Sequence, residues 1–196
     1  MTVMNRRHAA VLLSLGLALA CAAAPADNPK VRFATTAGDF VVEAYPDKAP
    51  KTVENFLRYV KDKHYDGTVF HRVIDNFMVQ GGGFDTRYVE KPTRPPVAHE
   101  GREALAKGGP RNVVGTVAMA RTNDPNSATA QFFINVKDNA FLDPSLRQDG
   151  YTVFGKVVSG MDVVDKIKAV PTAGGGPFPS DVPKTPVVIT SARLVR

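Results

Sequence analysis

From Val31 onward the chain is a succession of short apolar-alternating runs separated by turn residues. Val31 to Thr36 and Phe40 to Ala44 read as two strands around a turn at Ala37-Gly38-Asp39. The period then changes. Pro50 stands where a first-turn proline is tolerated, and Val53, Phe56, Leu57 and Val60 recur at helical spacing. These positions predict an amphipathic helix that ends near Tyr65-Asp66-Gly67. Thr68 to Ile74 and Phe77 to Gln80 return to strand patterning. Thr86 to Pro110 is polar and rich in Pro and Gly, which predicts a long surface excursion. Val113 to Ala120, Gln131 to Val136 and Thr152 to Val158 are further strands. Gly160 to Val170 predicts a second helix with Val163, Val164 and Ile167 facing inward. Pro171 to Pro186 reads as irregular, and Val187 to Val195 as a last strand. Eight strands and two helices without βαβ alternation predict a mainly β fold, a barrel whose ends the helices plug.

The first 26 residues follow a different logic. Arg6 and Arg7 make a basic start, Ala9 to Ala20 is apolar, and small residues continue to Ala26. This is the layout of a secretory signal peptide, too short for a comfortable membrane span. Cleavage after Ala26 would leave residues 27–196 as one domain beginning at Asp27, in the periplasm and without stable membrane insertion. Cys21 is the only cysteine, so a mature domain cut at that point has neither disulfides nor thiol chemistry. A lipid on Cys21 is the alternative outcome, although Ala18 stands where such a signal wants Leu.

Charge narrows the choice of partner. The net charge is +6, and removing residues 1–26 leaves 23 basic residues against 19 acidic ones, with no dense Lys/Arg run. That is no nucleic-acid footprint. His64, His71 and His99 lack close metal-ligand spacing, and no serine sits in a GxSxG turn. Gly150 to Val157 approaches a phosphate-loop pattern but ends in Val157 and has an apolar middle. His71 reads as a packed, hydrogen-bonding residue, and the run Gly81-Gly82-Gly83 as a place where backbones approach closely.

The candidate chemistry lies between Phe70 and Phe84, FHRVIDNFMVQGGGF. On a regular strand Phe70, Arg72 and Ile74 share one face, which puts a cation among apolar neighbours. Phe77 and Met78 add apolar surface, and Gln80 adds a donor and an acceptor. Such a set suits a neutral, partly apolar ligand held by a few polar contacts.

This stretch resembles the active-site core of the cyclophilins. The resemblance continues in order through Gly115 to Ala120, through Ser127 to Asn135, through Phe141-Leu142-Asp143 and through Val153 to Val158. It covers roughly Val31 to Val195 and looks nearest to the bacterial exported branch. It implies a closed eight-stranded antiparallel β-barrel capped by two α-helices. It also implies peptidyl-prolyl cis-trans isomerase activity on proline-containing polypeptides, without a cofactor, and a monomer is the default expectation for such a barrel. Carried over position by position, the resemblance makes Arg72 the catalytic donor. Phe77, Met78, Phe133 and Leu142 line the proline pocket, Gln80 and the Ala120-Arg121 backbone hold the substrate chain, and Gln131 supports the site. Phe141 and Tyr151 belong to the substrate-binding set too. They stand where the best-known eukaryotic members have Trp and His, and without the indole N–H strong cyclosporin binding is not expected. The alternative reading is a non-catalytic proline-peptide binder on the same fold, which has no need of the Arg72 donor.

Overall fold

A computed structural model describes residues 27–195 of the chain. The segment read as a signal peptide therefore lies outside the described residues. β1 (Lys30–Thr35) and β2 (Gly38–Ala44) form the expected hairpin, with Phe33 opposite Phe40. α1 (Pro50–Lys61) follows, then β3 (Thr68–Ile74) and β4 (Met78–Asp85). After a long excursion come β5 (Thr116–Met119), β6 (Phe132–Asn135) and β7 (Val153–Ser159). With the final strand these close an antiparallel barrel of eight strands, in the order first, last, β3, β4, β6, β5, β7, β2.

Two segments differ from the sequence reading. The polar excursion contains a short helix, α2 (Gly101–Ala106), so the described residues hold three α-helices and not two. Pro171 to Pro186 is not irregular. It forms a separate two-stranded hairpin, β8 (Thr172–Gly175) with β9 (Phe178–Pro183), ahead of the closing strand β10 (Val188–Val195). α3 (Met161–Lys168) buries Val163, Val164 and Ile167 as the helical spacing predicts.

Alternation divides the barrel wall into an inner and an outer face. On β6, Phe132 and Ile134 enter the main core, while Phe133 joins a second cluster on the opposite face. On β4, Val79 is in the core and Met78 in the second cluster. The core is strongly aromatic. Phe33 lies 5.1 Å from Phe40 and 5.4 Å from Phe132, and Phe56 from α1 lies 4.9 Å from Phe154. Each fully buried ring contributes about 1.5–3 kcal/mol, against about 0–1 kcal/mol for a surface ion pair, so these rings dominate the barrel's stability.

The N-terminus of α1 is satisfied from far away. Ala49 offers no side-chain cap. Instead the buried Glu100, 48 residues beyond Thr52, accepts from Thr52 N and Thr52 Oγ1 at 2.7 Å and from Lys51 N at 3.1 Å. A carboxylate at a helix N-terminus meets unpaired N–H groups and the positive end of the helix dipole. It also anchors the excursion that leads into α2.

Candidate active site

The second cluster is the floor of a groove on the outer face of the barrel. Met78, Ala118, Phe133, Leu142 and Val153 are buried there, with Ile74, Phe77, Ala120 and Tyr151 packed around them. Above this floor is a cavity of about 380 Å³, large enough for a few residues of an extended chain. The groove brings together Arg72, Phe77, Met78, Gln80, Ala120, Arg121, Gln131, Phe133, Leu142 and Tyr151 from five separate parts of the sequence. Phe141, also assigned to the site, does not line the cavity. It is 63% exposed and stacks on Phe77 at 5.7 Å, so it buttresses the rim from outside.

Arg72 does not reach the groove by simple alternation. The β3–β4 register pairs Phe70 with Gly81 and Arg72 with Gln80, so two steps on β3 oppose one on β4. This is a β-bulge, which re-aims side chains locally. Phe70 turns into the barrel core, while His71 and Arg72 both line the groove. The shared face expected for Phe70, Arg72 and Ile74 is thereby corrected: Ile74 keeps Arg72's side and Phe70 does not.

The two arginines of the groove differ in what they hold. Arg121 is committed. Its Nε and Nη2 donate to Gly150 O at 3.0 and 2.8 Å, Nη1 donates to Thr122 O, and its guanidinium lies 4.6 Å from the Tyr151 ring centroid. Tyr151 meets Phe133 edge-on at 5.4 Å. Arg121 thus braces the loop that carries Tyr151. The Arg72 guanidinium has no hydrogen bond or ion pair among the described residues, so its donors face the groove without a carboxylate partner. Gln80 Nε2 donates to Gln131 Oε1 at 3.1 Å, and Gln131 Nε2 donates to Glu90 Oε1 at 3.4 Å, which leaves the Gln80 carbonyl oxygen unused.

Gly83 makes room for this pair, because a Cβ there would lie 2.5 Å from Gln131 Cγ. At Gly82, where φ is +87°, a Cβ would press on the Tyr65 and Phe132 rings. The glycine run therefore admits side chains more than it admits neighbouring backbones.

His71 is packed as expected, but its Nδ1 has no hydrogen-bond partner among the described residues. The ring lies between Phe84 at 4.7 Å and Phe178 at 5.3 Å. Burial drives its pKa down to about 4, and the nearby Arg72 charge acts in the same direction. The imidazole is therefore neutral and is no acid–base candidate near pH 7.

A buried amide network, not foreseen from the sequence, fixes the other wall. Asn139 Nδ2 donates to Phe77 O at 2.9 Å and to Asn135 Oδ1 at 2.8 Å. Asn135 donates to Asn112 and Thr116, and Asn112 donates to Asp143, next to Leu142. Asn139 thus holds Phe77 through its carbonyl, and its own carbonyl accepts from Leu142 N at 2.8 Å. Among the described residues no cluster of His, Cys, Asp or Glu is arranged to hold a metal.

Comparison with known proteins agrees with this architecture. Residues 30–194 match the family model described as cyclophilin type peptidyl-prolyl cis-trans isomerase/CLD. Peptidyl-prolyl cis-trans isomerase A of Dickeya dadantii (strain 3937) is 49% identical, covering 98% of each chain. Peptidyl-prolyl cis-trans isomerase B of Escherichia coli (strain K12) is 52% identical over 84% of this chain and 98% of its own. Among solved structures, cyclophilin AquaCyp293 from Hirschia baltica superposes with a TM-score of 0.69 at 28% identity, covering 86% of this chain and 74% of its own.

Proposed function

The chain belongs to the cyclophilin-type peptidyl-prolyl cis-trans isomerases and is an enzyme of that class, and on that premise we propose that it turns X–Pro bonds in exported polypeptides to assist their folding, with Arg72 as the catalytic donor. The observation that carries the residue assignment is an unpaired guanidinium beside an apolar recess. Phe77, Met78, Phe133 and Leu142 take the proline ring. The Gln80 carboxamide and the backbone at Ala120 and Arg121 hold the carbonyl side of the bond, with Gln131 positioning Gln80.

The barrier is about 18–20 kcal/mol because rotation breaks amide resonance. At the twisted transition state the prolyl nitrogen regains a lone pair, which the planar ground state does not offer. A hydrogen bond from Arg72 to that nitrogen is therefore made only where it accelerates the reaction. One charge-assisted bond is worth about 1.5–3 kcal/mol, or about 10- to 150-fold in rate. The remainder comes from gripping the ring while the carbonyl side is held. No step needs a cofactor or a titrating group.

The export part of the reading is supported by Arg6, Arg7 and the apolar run Ala9 to Ala20. It places the protein in the periplasm, as a monomer acting on proline-containing chains. Mass spectrometry of fractionated cells tests it. The expected species is a periplasmic protein starting near Asp27, whereas an intact Met1 terminus in the cytosol overturns the export reading. Exchange-based NMR of proline tetrapeptides with the purified protein tests the activity and its clients' chemistry together.

A further inference from the structure

The hairpin β8–β9 stands outside the barrel sheet, yet its first β9 residue, Phe178, lines the same groove as Arg72. Phe178 stacks on His71 at 5.3 Å with planes 30° apart and meets Phe84 edge-on at 5.1 Å. His71 and Phe84 are themselves 4.7 Å apart, so the three rings form one contiguous aromatic wall. We propose that His71, Phe84 and Phe178 form a second substrate subsite, which takes an apolar, preferentially aromatic, side chain on the residue that follows the proline.

This assignment rests on the isomerase reading of the groove, which sets the direction of the substrate. The proline ring occupies the Phe77–Met78–Phe133–Leu142 recess, and the carbonyl side of the bond faces Gln80 and Ala120. A polar cleft of about 360 Å³ shares Gln80, Ala120, Arg121 and Gln131 with the groove and extends past Glu90, Thr122 and Ser127. That end belongs to residues preceding the proline. The aromatic wall appears in the lining of the groove and not in that of the polar cleft, so it serves residues after the proline.

Reach agrees with this placement. His71 and Arg72 are adjacent, with Cα atoms about 3.8 Å apart, as are the proline and the residue after it. A substrate whose prolyl nitrogen faces Arg72 therefore brings its next side chain to the wall, where the half-buried Phe84 and Phe178 pack over the buried His71 ring. The wall carries no carboxylate or ammonium, and aromatic pairs in offset or edge-on geometry gain beyond area burial alone. His71 is neutral, with its pKa lowered to about 4, so the wall presents an apolar surface near pH 7.

The test compares blocked Ala-Ala-Pro-Phe and Ala-Ala-Pro-Gly amides by NMR exchange spectroscopy, which needs no coupling protease. Wild type, Phe178→Ala and Phe178→Leu are assayed side by side. Wild type is expected to favour the phenylalanine peptide in kcat/KM by about tenfold. Phe178→Ala is expected to bring that ratio to within about twofold of unity, with Phe178→Leu between the two. Leucine keeps most of the buried volume, so it carries the test if the alanine variant does not fold. A ratio near one in wild type, or a ratio that survives in a folded Phe178 variant, overturns the subsite and leaves the isomerase reading standing. Turnover of neither peptide by wild type overturns both.

Discussion

Phe70 and Arg72, two residues apart on one strand, face opposite sides of the barrel wall. The bulge between them sends the ring into the aromatic core and the guanidinium into the groove. The most buried part of β3 thus holds its most exposed catalytic candidate in place.

Arg72→Ala is expected to lower kcat/KM by about 10- to 150-fold, the loss of one charge-assisted bond. Circular dichroism should be unchanged, because the Arg72 side chain makes no hydrogen bond or ion pair with the rest of the described protein. Arg72→Lys should recover little, since an ammonium lacks the planar fork. A folded alanine variant with most of its kcat/KM would refute the assigned role.

Turnover should vary little between about pH 6 and 9. A guanidinium and a carboxamide do not titrate there, and His71, the nearest imidazole, protonates only at about 4. The measurement is kcat/KM across that range at constant ionic strength. A step near pH 7 would assign the proton work to a histidine.

Stability, by contrast, should fall in acid. The pKa of His71 is lowered from 6.5 to about 4 in the fold. Between those values the unfolded chain holds a proton that the native protein excludes. The contribution is therefore intact above about pH 6.5, declines as pH drops toward 4, and levels off below it. The total is about 3 kcal/mol at 1.36 kcal/mol per unit. His64 and His99 are lowered too, mainly by burial, and act with the same sign. Urea titrations of wild type and His71→Gln at pH 7, 5.5 and 4 should therefore converge, the variant losing about 3 kcal/mol less. Parallel pH curves would show that His71 is protonated normally in the fold.

Asn139→Ala should damage the site from behind. It removes one of two donors to Phe77 O, which keeps Val136 N at 3.1 Å, and the donor to the buried Asn135 Oδ1. Leaving the buried Asn135 Oδ1 unpaired costs about 1–3 kcal/mol. Because Phe77 then loses its side-chain donor and keeps only backbone partners, KM should rise more than kcat falls. Denaturation midpoints and separate kcat and KM values check this, and equal damage to both constants would argue against a pocket held through the Phe77 backbone.

These contrasts show where the sequence was readable. The eight barrel strands, the helix of Val53 and Phe56 and the inward set Val163, Val164 and Ile167 follow from periodicity, which is a local property. Ten of the eleven assigned site residues meet at one groove, with Phe141 stacked just outside it. What escaped was non-local or exceptional to the period. The bulge at His71 breaks strict alternation without a sequence mark, since neither flanking residue is Gly or Pro. The hairpin β8–β9 hides in a Gly/Pro-rich run because its pairing, and not its propensity, makes it a strand. Glu100 and the Asn112–Asn135–Asn139 network carry no local signal, because distant segments deliver their partners.

The register of β1 against β10 has a consequence for synthesis. Lys30 pairs with Val195 and Phe33 with Ala192, and β10 is also the strand that joins β1 to β3. A growing chain can assemble every other seam, but it exposes two open edges until residues 188–195 arrive. A peptidyl-prolyl isomerase thus closes its own barrel only with its last strand. Losing that strand would leave an open seven-stranded sheet with two sticky edges in place of a weakened enzyme.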